Sequence, residues 1–137
     1  YTDGSCRGNG QKRAIAGLGV HFPEGEISDI SERLPGVVQT NNRAEILAVI
    51  RAIEVAPRGR RLIIHSDSQY MRDGITSWIH SWKENGWNNG KVVSQDLWMR
   101  LDAVRDQYNL DGRVEFRYVQ AHVGIPGNET ADRLANE

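Results

Sequence analysis

The sequence predicts an α/β domain in which helices pack on both faces of a mixed five-stranded sheet. Three consecutive strand-like segments open the chain and favour an antiparallel meander, whereas the later alternation of strands and helices favours parallel additions to the same sheet. A length of 137 residues is typical of a single domain. We therefore expect one domain over residues 1–137 with the element order β-β-β-α-β-α-β-α.

Five segments are predicted to be strands. In each, apolar residues alternate with polar residues or glycine, or form a short continuous run, and turn residues bound the segment. The first strand is expected to end early, because Asp3-Gly4-Ser5 and Gly8-Asn9-Gly10 are typical of turns. The five strands are expected within Tyr1–Gly10, Ala14–Phe22, Glu26–Leu34, Arg61–His65 and Val114–Val119.

The clearest helix is predicted at Thr40–Ala56. Its apolar residues recur at helical spacing, Thr40 or Asn41 can cap its start, and Pro57 ends it. Gly74 predicts a break between two short helical pieces, and Ser94 is expected to cap a longer helix. Beyond the first helix, four more helical segments are expected, at Gln69–Asp73, Thr76–Trp82, Ser94 to about Tyr108, and Asn128–Glu137.

The charge balance is nearly neutral, with 17 Lys plus Arg against 18 Asp plus Glu. That balance disfavours the strongly basic footprint of many nucleic-acid binders, unless acidic residues are gathered for a purpose. No apolar run reaches the ~20 residues that span a bilayer, so we expect no membrane partner. The single cysteine, Cys6, excludes an internal disulfide and fits a reducing compartment.

Four acidic residues stand where an acid does little for stability. They are Asp3, Glu45, Asp67 and Asp132, of which Asp3 and Asp67 are expected at the carboxyl ends of strands, where ligand sites gather. Clustered carboxylates either bind a proton or bind a cation. Oxygen ligands without Cys or a His pair select Mg²⁺ or Mn²⁺, and two such ions ~4 Å apart promote phosphodiester cleavage.

Each of these acids also has a purely structural interpretation. Asp3 is expected in an ordinary turn and Asp67 at a helix cap, since Asp is favoured at both. Glu45 fits the solvated side of its helix, and Asp132 fits an ion pair with Arg133. Composition and spacing alone leave both interpretations open.

Four segments together resemble the four acidic motifs of the type 1 ribonucleases H, in the same order. The resemblance covers essentially the whole chain and implies the ribonuclease H-like mixed five-stranded fold. It also implies a Mg²⁺-dependent, sequence-independent endonuclease that hydrolyses the RNA strand of RNA–DNA hybrids and leaves 3′-hydroxyl and 5′-phosphate ends. The four segments are Tyr1–Cys6, Thr40–Glu45, Asp67–Tyr70 and Gly127–Asp132, and family-like residues recur at Ile75–Lys83 and Asp96–Trp98.

The resemblance also assigns catalytic residues. Asp3, Glu45, Asp67 and Asp132 match the family's metal-binding acids, which implies two Mg²⁺ ions, for which Mn²⁺ can substitute. His122 matches a histidine on a mobile loop that the family uses near the leaving group; without the surrounding match it is an ordinary loop histidine.

Substrate contacts are implied on two surfaces. Asn9, Asn41, Asn42 and Gln69 match positions that face the minor groove of the hybrid, with Cys6 beside them, since amide groups can recognise a 2′-hydroxyl; turn asparagines and helix caps are the structural alternative.

The DNA strand is expected along a groove lined by Trp78 and Trp82, which lie on one helix face; a tryptophan pair at this spacing also suits a core. Thr40 and Ser94 match the DNA-phosphate pocket, where Val38 replaces the arginine of animal-type members and Ser94 replaces an asparagine. We expect a weakened phosphate pocket.

Three alternatives stay open at this point. One is the same fold in another setting, such as the ribonuclease domain of a reverse transcriptase or a resolvase-like nuclease. Another is a non-catalytic module that binds hybrids or double-stranded RNA, and the last is a structural domain with coincidental motifs. We expect a monomer whose partner is an RNA–DNA hybrid. Its expected location is intracellular: the cytoplasm in a bacterium, or the nucleus or mitochondria in a eukaryote.

Overall fold

The computed structural model describes residues 1–137 and contains one five-stranded sheet in the order β3-β2-β1-β4-β5. The first three strands pair antiparallel, and β4 pairs parallel with both β1 and β5. The mixed sheet that the sequence predicts is therefore confirmed. Its strands are β1 (Thr2–Arg7), β2 (Ile15–Val20), β3 (Ile30–Arg33), β4 (Arg61–Ser66) and β5 (Arg113–Tyr118).

Helices cover both faces of the sheet, as expected. The helices α1 and α4 pack together on one face, and α5 packs on the other face against β1, β2 and β3. The helices are α1 (Asn41–Val55), α2 (Gln69–Asp73), α3 (Ile79–Glu84), α4 (Gln95–Tyr108) and α5 (Pro126–Ala135). No helix combines the length and the apolar character needed to cross a bilayer.

Glycines in β2 let α5 approach the sheet closely. A Cβ on Gly17 would lie 2.5 Å from the carbonyl oxygen of Ala135, and a Cβ on Gly19 would collide with the carbonyl oxygen of Ala131. Only a residue without a side chain permits this backbone approach. The α5 side chains are thereby held against β1, the neighbour of β2.

The predicted break at Gly74 is wrong. The chain continues from α2 into α3 through one π-helical turn, Gly74–Trp78, and Gly74 is fully helical. The glycine serves packing instead, because a Cβ there would occupy the space of the Trp98 ring. Trp98 is completely buried and donates a hydrogen bond from Nε1 to the Tyr70 hydroxyl at 3.1 Å. Local propensity predicts a break at glycine, whereas the packing of the Trp98 ring depends on a helix that is distant in the sequence.

Three further local expectations need correction. Asp3-Gly4-Ser5 is not a turn, because β1 runs on to Arg7, so Asp3 lies near the start of its strand instead of at the carboxyl end. Ser94 does precede α4, but it adopts a left-handed conformation (φ 57°) and its side chain caps nothing. The expected third strand is shortened to four residues, and α5 begins two residues earlier than expected, at Pro126.

The start of α1 is decided in favour of Thr40. Its hydroxyl accepts a hydrogen bond from the Arg43 amide at 3.2 Å, as an N-cap side chain does. Asn41 is then the first residue of the helix.

A stagger between β1 and β4 shapes the centre of the sheet. The two strands meet at a single pair, Thr2 with Ser66. Beyond that pair β4 ends while β1 continues. From Asp3 onward, the edge of β1 opposite β2 therefore has no strand beside it. In the other direction β4 continues while β1 stops, so Arg61–His65 pairs only with β5.

Candidate active site

Three of the four predicted acids converge at the open edge of β1. Carboxylate oxygens of Asp3, Glu45 and Asp67 all lie within 4.8 Å of one another. Thr2 in β1 pairs with Ser66 in β4. The residues that follow them, Asp3 and Asp67, therefore lie side by side. Backbone register therefore brings Asp3 and Asp67 together, which the sequence alone could not show.

Gly4 allows the third acid to reach the other two. A Cβ on Gly4 would lie 2.7 Å from the Ala44 carbonyl carbon and would collide with the Glu45 amide nitrogen. The first turn of α1 therefore rests directly on the backbone of β1. Since no strand covers this edge of β1, the Glu45 side chain meets Asp3 there.

Burial makes this cluster electrostatically expensive. Asp3 and Glu45 are each only 4% exposed. Desolvation is the main cause that raises the pKa of Asp3 to about 7, and the charges of Asp67 and Asp132 add to it. Desolvation also raises the pKa of Glu45 well above its ordinary value, followed by the charge of Asp3. Without a cation, Asp3 is thus partly protonated at neutral pH, and burial favours the neutral form of Glu45 as well.

Asp132 joins the cluster through Asp3. The Asp132 carboxylate helps to raise the pKa of Asp3, which faces α5 because its partner in β2 is Gly19. Asn136 contacts Asp132 one turn later, where its Nδ2 donates to the Asp132 carbonyl at 2.8 Å. Asp132 therefore borders the triad, and the predicted ion pair with Arg133 is not formed; Arg133 pairs with Glu137.

Asn128 is a site residue that the sequence hypothesis missed. It is 3% exposed and its Nδ2 donates a hydrogen bond to Asp67 Oδ2 at 3.1 Å. The signal was available, because Asn128 and Asp132 are four residues apart and so share one helix face. Asn128 orients Asp67 while leaving the other carboxylate oxygen free.

The donor set fits a hard divalent cation. All ligand atoms are carboxylate oxygens, which Mg²⁺ and Mn²⁺ prefer. Glu45 Oε2 is buried without any hydrogen-bond partner, and buried carboxylate oxygens are rarely left unpaired. A cation beside Glu45 would satisfy this atom and would offset the repulsion among the acids.

His122 lies apart from these contacts on an exposed loop. The loop joins β5 to α5, and His122 adopts a left-handed backbone conformation with φ 57°. No hydrogen bond connects its ring to the acids.

The predicted minor-groove residues lie around the start of α1 and α2. Asn9 and Asn41 are brought together, since the backbone amide of Asn41 donates a hydrogen bond to Asn9 Oδ1 at 3.3 Å. Asn42 and Gln69 are exposed at the first turns of α1 and α2. Cys6 is half-buried against the core instead, and its thiol contacts the Gln39 carbonyl oxygen at 3.5 Å.

The two predicted groove tryptophans differ in exposure. Trp78 is 37% exposed and packs edge-on against Tyr70. Trp82 is half-buried and lies 5.6 Å from the Trp98 ring, so the core interpretation applies to it in part. The ring centroids of Trp78 and Trp82 are 6.1 Å apart, and Trp78 is the more exposed of the two.

The predicted phosphate-pocket residues have partly structural roles. The Thr40 hydroxyl caps α1, and Ser94 precedes α4 in a left-handed conformation. Val38 is 59% exposed, so the position where animal-type members carry arginine is accessible.

Comparison with known proteins places these features in a single family. The model of the RNase H family matches residues 1–137. A ribonuclease H of a Polaromonas strain is 43% identical over 142 residues, covering all of this chain and 84% of the relative. Ribonuclease H1 of Rattus norvegicus is 42% identical over 142 residues, and this chain spans 48% of its length.

Solved structures agree with this placement. The crystal structure of LC9-RNase H1, described as a type 1 RNase H with the type 2 active-site motif, is 30% identical with a TM-score of 0.66. The match covers 99% of this chain and 68% of that one. The RNase H domain of PFV, at 24% identity and a TM-score of 0.68 over 99% of this chain and 90% of that one, supports the fold.

Proposed function

The chain belongs to the ribonuclease H family, and on that premise we propose that it is a divalent-metal-dependent endonuclease that hydrolyses the RNA strand of RNA–DNA hybrids. The observation that carries the proposal is the desolvated cluster of Asp3, Glu45 and Asp67, with one Glu45 oxygen left unpaired. A fold gains no stability from burying such a cluster, whereas a cation site needs it.

In this proposal the acids hold two Mg²⁺ ions, with Mn²⁺ as a substitute. Asp3, Glu45 and Asp67, whose carboxylate oxygens lie within 4.8 Å of one another, would hold the ions together with the neighbouring Asp132. Asn128 fixes the orientation of Asp67 through its hydrogen bond. When bound, the ions supply an activated water and charge stabilisation of the leaving oxygen, which yields 3′-hydroxyl and 5′-phosphate ends.

His122 is proposed to act near the leaving group. It is exposed on the loop that precedes α5, the helix that carries Asp132 and Asn128. Its ring forms no hydrogen bond with the acids, so it is accessible to a bound substrate.

Hybrid recognition is proposed on either side of the acids. Amide side chains of Asn9, Asn41, Asn42 and Gln69 offer both donors and acceptors, which suits the 2′-hydroxyl of RNA. The DNA strand is proposed to pass the exposed ring of Trp78. Contacts to sugar, phosphate and groove shape carry no sequence information, so cleavage is expected to be independent of sequence.

A non-catalytic hybrid-binding module is the alternative, and the buried acids argue against it. Carboxylates repel phosphates, so a pure binder would be weakened by acids at the contact surface. With divalent ions bound, the same acids become attractive to the scissile phosphate.

The decisive experiment is cleavage of a labelled RNA–DNA hybrid with Mg²⁺, compared with EDTA, duplex DNA and duplex RNA. We expect hydrolysis of the RNA strand of the hybrid alone. Asp67→Asn should lower the rate at least about 100-fold, because even residues behind metal ligands are worth 10–100-fold. Asp106→Asn is the matched control, since Asp106 is exposed on α4 and forms no ion pair.

Two results would contradict the proposal. Binding of the hybrid without cleavage in either Mg²⁺ or Mn²⁺ would identify a binding module. Equal cleavage by Asp67→Asn and Asp106→Asn would remove the acidic cluster from the reaction.

A further inference from the structure

The end of the sheet at the β1–β2 hairpin carries cations that no carboxylate pairs with. Most Lys and Arg side chains of the chain form ion pairs with Asp or Glu. Those that form none gather at this end of the sheet, with the exception of Lys91, which lies between α3 and α4. The gathered cations are Arg7, Lys12, Arg13 and Arg33.

Two of these cations have local compensation. Arg7 and Arg33 line a recess beside the end of α5, together with the acids Glu32 and Glu137. Arg7 also donates a hydrogen bond to the Asn136 carbonyl oxygen at 3.1 Å. Because a cation stabilises the C-terminal end of a helix, a structural role accounts for Arg7, and the neighbouring acids offset Arg33.

Lys12 and Arg13 have no such compensation. Both are exposed in the loop between β1 and β2, and their side chains take part in no hydrogen bond or ion pair. Two adjacent like charges repel each other, so they contribute nothing favourable to the fold. A pair of adjacent free cations instead attracts a polyanion.

The loop that presents Lys12 and Arg13 is ordered. The Gln11 amide donates to the Gly8 carbonyl oxygen at 2.9 Å, and the Ala14 amide donates to the Gln11 carbonyl oxygen at 3.2 Å. The loop is thus folded into two successive turns before any ligand arrives. A binding segment that is ordered in advance loses less conformational entropy on binding.

The loop also adjoins the surface proposed to contact the hybrid. Asn9, three residues before Lys12, accepts the backbone amide hydrogen bond of Asn41 at the start of α1. Along β1, the end of the strand at Arg7 lies four residues from Asp3, or roughly 13 Å. At about 3.4 Å per base pair, a hybrid that contacts both the acids and the Asn9–Asn41 surface reaches the loop roughly four base pairs from the cut.

We propose that Lys12 and Arg13 bind backbone phosphates of the RNA–DNA hybrid and so anchor the substrate at a distance from the acids. The inference rests on the proposed function, which supplies the hybrid as the polyanion. With a net charge of −1, the protein as a whole offers a duplex little attraction, and the loop provides it locally. Phosphate contacts position a duplex without reading its sequence, so the two residues act on affinity and leave the chemical step unchanged.

The test measures hybrid affinity as a function of salt concentration, with Mg²⁺ and in an Asp67→Asn background in which cleavage is slowed. The variant Lys12→Gln/Arg13→Gln removes both charges from exposed side chains without partners, so its Tm should equal that of the parent. Arg58→Gln/Arg113→Gln is the matched control. It removes the same charge from exposed arginines that lie before β4 and at the start of β5, remote from Asp67.

Two phosphate contacts contribute about 1.8 to the slope of log K against log salt. The loop variant should lose about this much of the slope and bind the hybrid at least about tenfold more weakly at about 0.1 M salt. The control variant should change the slope by less than about 0.5. In the chain with Asp67 intact, the loop variant should raise KM by a similar factor with kcat unchanged, as expected for loss of uniform binding.

An unchanged salt slope in the loop variant overturns the proposal, because the two charges are then merely solvated. An equal loss in the control variant also overturns it, since net charge alone would then explain the effect. If the slope falls as expected but the parent cleaves no hybrid, the proposed function fails while the phosphate contact stands. If the parent does not bind the hybrid at all, both are overturned.

Discussion

Replacement of Asp3 by Asn should stabilise the metal-free protein, and increasingly so as the pH rises. Asp3 is 4% exposed, and burial is the main cause that raises its pKa to about 7. The folded protein therefore binds a proton at Asp3 over a range in which the unfolded chain, with a pKa of 3.8, has already lost it. By linkage, the free energy of unfolding falls as the pH rises between these two values.

The magnitude follows from 1.36 kcal/mol for each tenfold change in proton affinity. By this relation, the Asp3 side chain lowers the free energy of unfolding by about 4 kcal/mol at pH 8, where it is charged, and by about 1 to 2 kcal/mol at pH 5, where folding requires that it take up a proton. The advantage of Asp3→Asn over the parent should therefore grow by about 2 to 3 kcal/mol between pH 5 and pH 8. Relief of Glu45, whose pKa is raised partly by the Asp3 charge, acts in the same direction.

The assay is urea unfolding in EDTA at pH 5 and pH 8 for the parent, Asp3→Asn and Asp106→Asn. The comparison between variants isolates Asp3 from other titrating groups, and Asp106→Asn should show no such pH-dependent gain. Adding Mg²⁺ at pH 8 should narrow the difference, since ligand at 100 times its Kd stabilises the parent by about 2.7 kcal/mol while Asp3→Asn lacks a ligand. A pH-independent difference between Asp3→Asn and the parent would refute the reasoning.

Three further predictions follow from individual contacts. Val38→Arg should tighten hybrid binding and steepen its salt dependence by about one phosphate contact; an unchanged salt slope would place the phosphate pocket elsewhere. Gly19→Ala should lower the free energy of unfolding by about 1–3 kcal/mol, because the new Cβ meets the backbone of Ala131; a change below about 0.5 kcal/mol in urea unfolding would argue against this helix position. Asn128→Ala should raise the Mg²⁺ concentration for half-maximal thermal stabilisation about 10-fold or more, since Asp67 loses its 3.1 Å partner; an unchanged midpoint would make Asn128 merely structural.

Periodicity in the sequence predicted most of the fold. Strand alternation and the apolar stripe of α1 are local patterns, and each yielded an element within a few residues of its observed bounds. Errors arose where a distant group decided the outcome. Gly74 looked like a breaker, yet it is helical because the Trp98 ring needs the space of its side chain.

In the candidate site, too, the sequence identifies the residues, and contacts between distant segments decide their arrangement. The motif order singled out Asp3, Glu45, Asp67 and Asp132, but nothing local could show that three of them converge within 4.8 Å. Their convergence depends on one strand pair, Thr2 with Ser66. Asp3 was expected at the end of its strand, and it reaches Asp67 from near the start of β1 because the strands are staggered.

The tryptophans illustrate what burial adds. Trp78 and Trp82 share a helix face, so the sequence treats them as a pair. Only packing against Trp98 distinguishes the half-buried Trp82 from the exposed Trp78.

By itself, the sequence determined the order of the elements, the family resemblance and the identity of the four acids, because these are properties of residue type and near-neighbour spacing. The tertiary structure alone decided the register of β1 against β4, and with it the meeting of Asp3 and Asp67 beside Thr2 and Ser66. This register pairs residues more than sixty positions apart in the sequence. The free energy that selects it comes from burying both faces of the sheet at once, and a short segment of sequence does not contain that information.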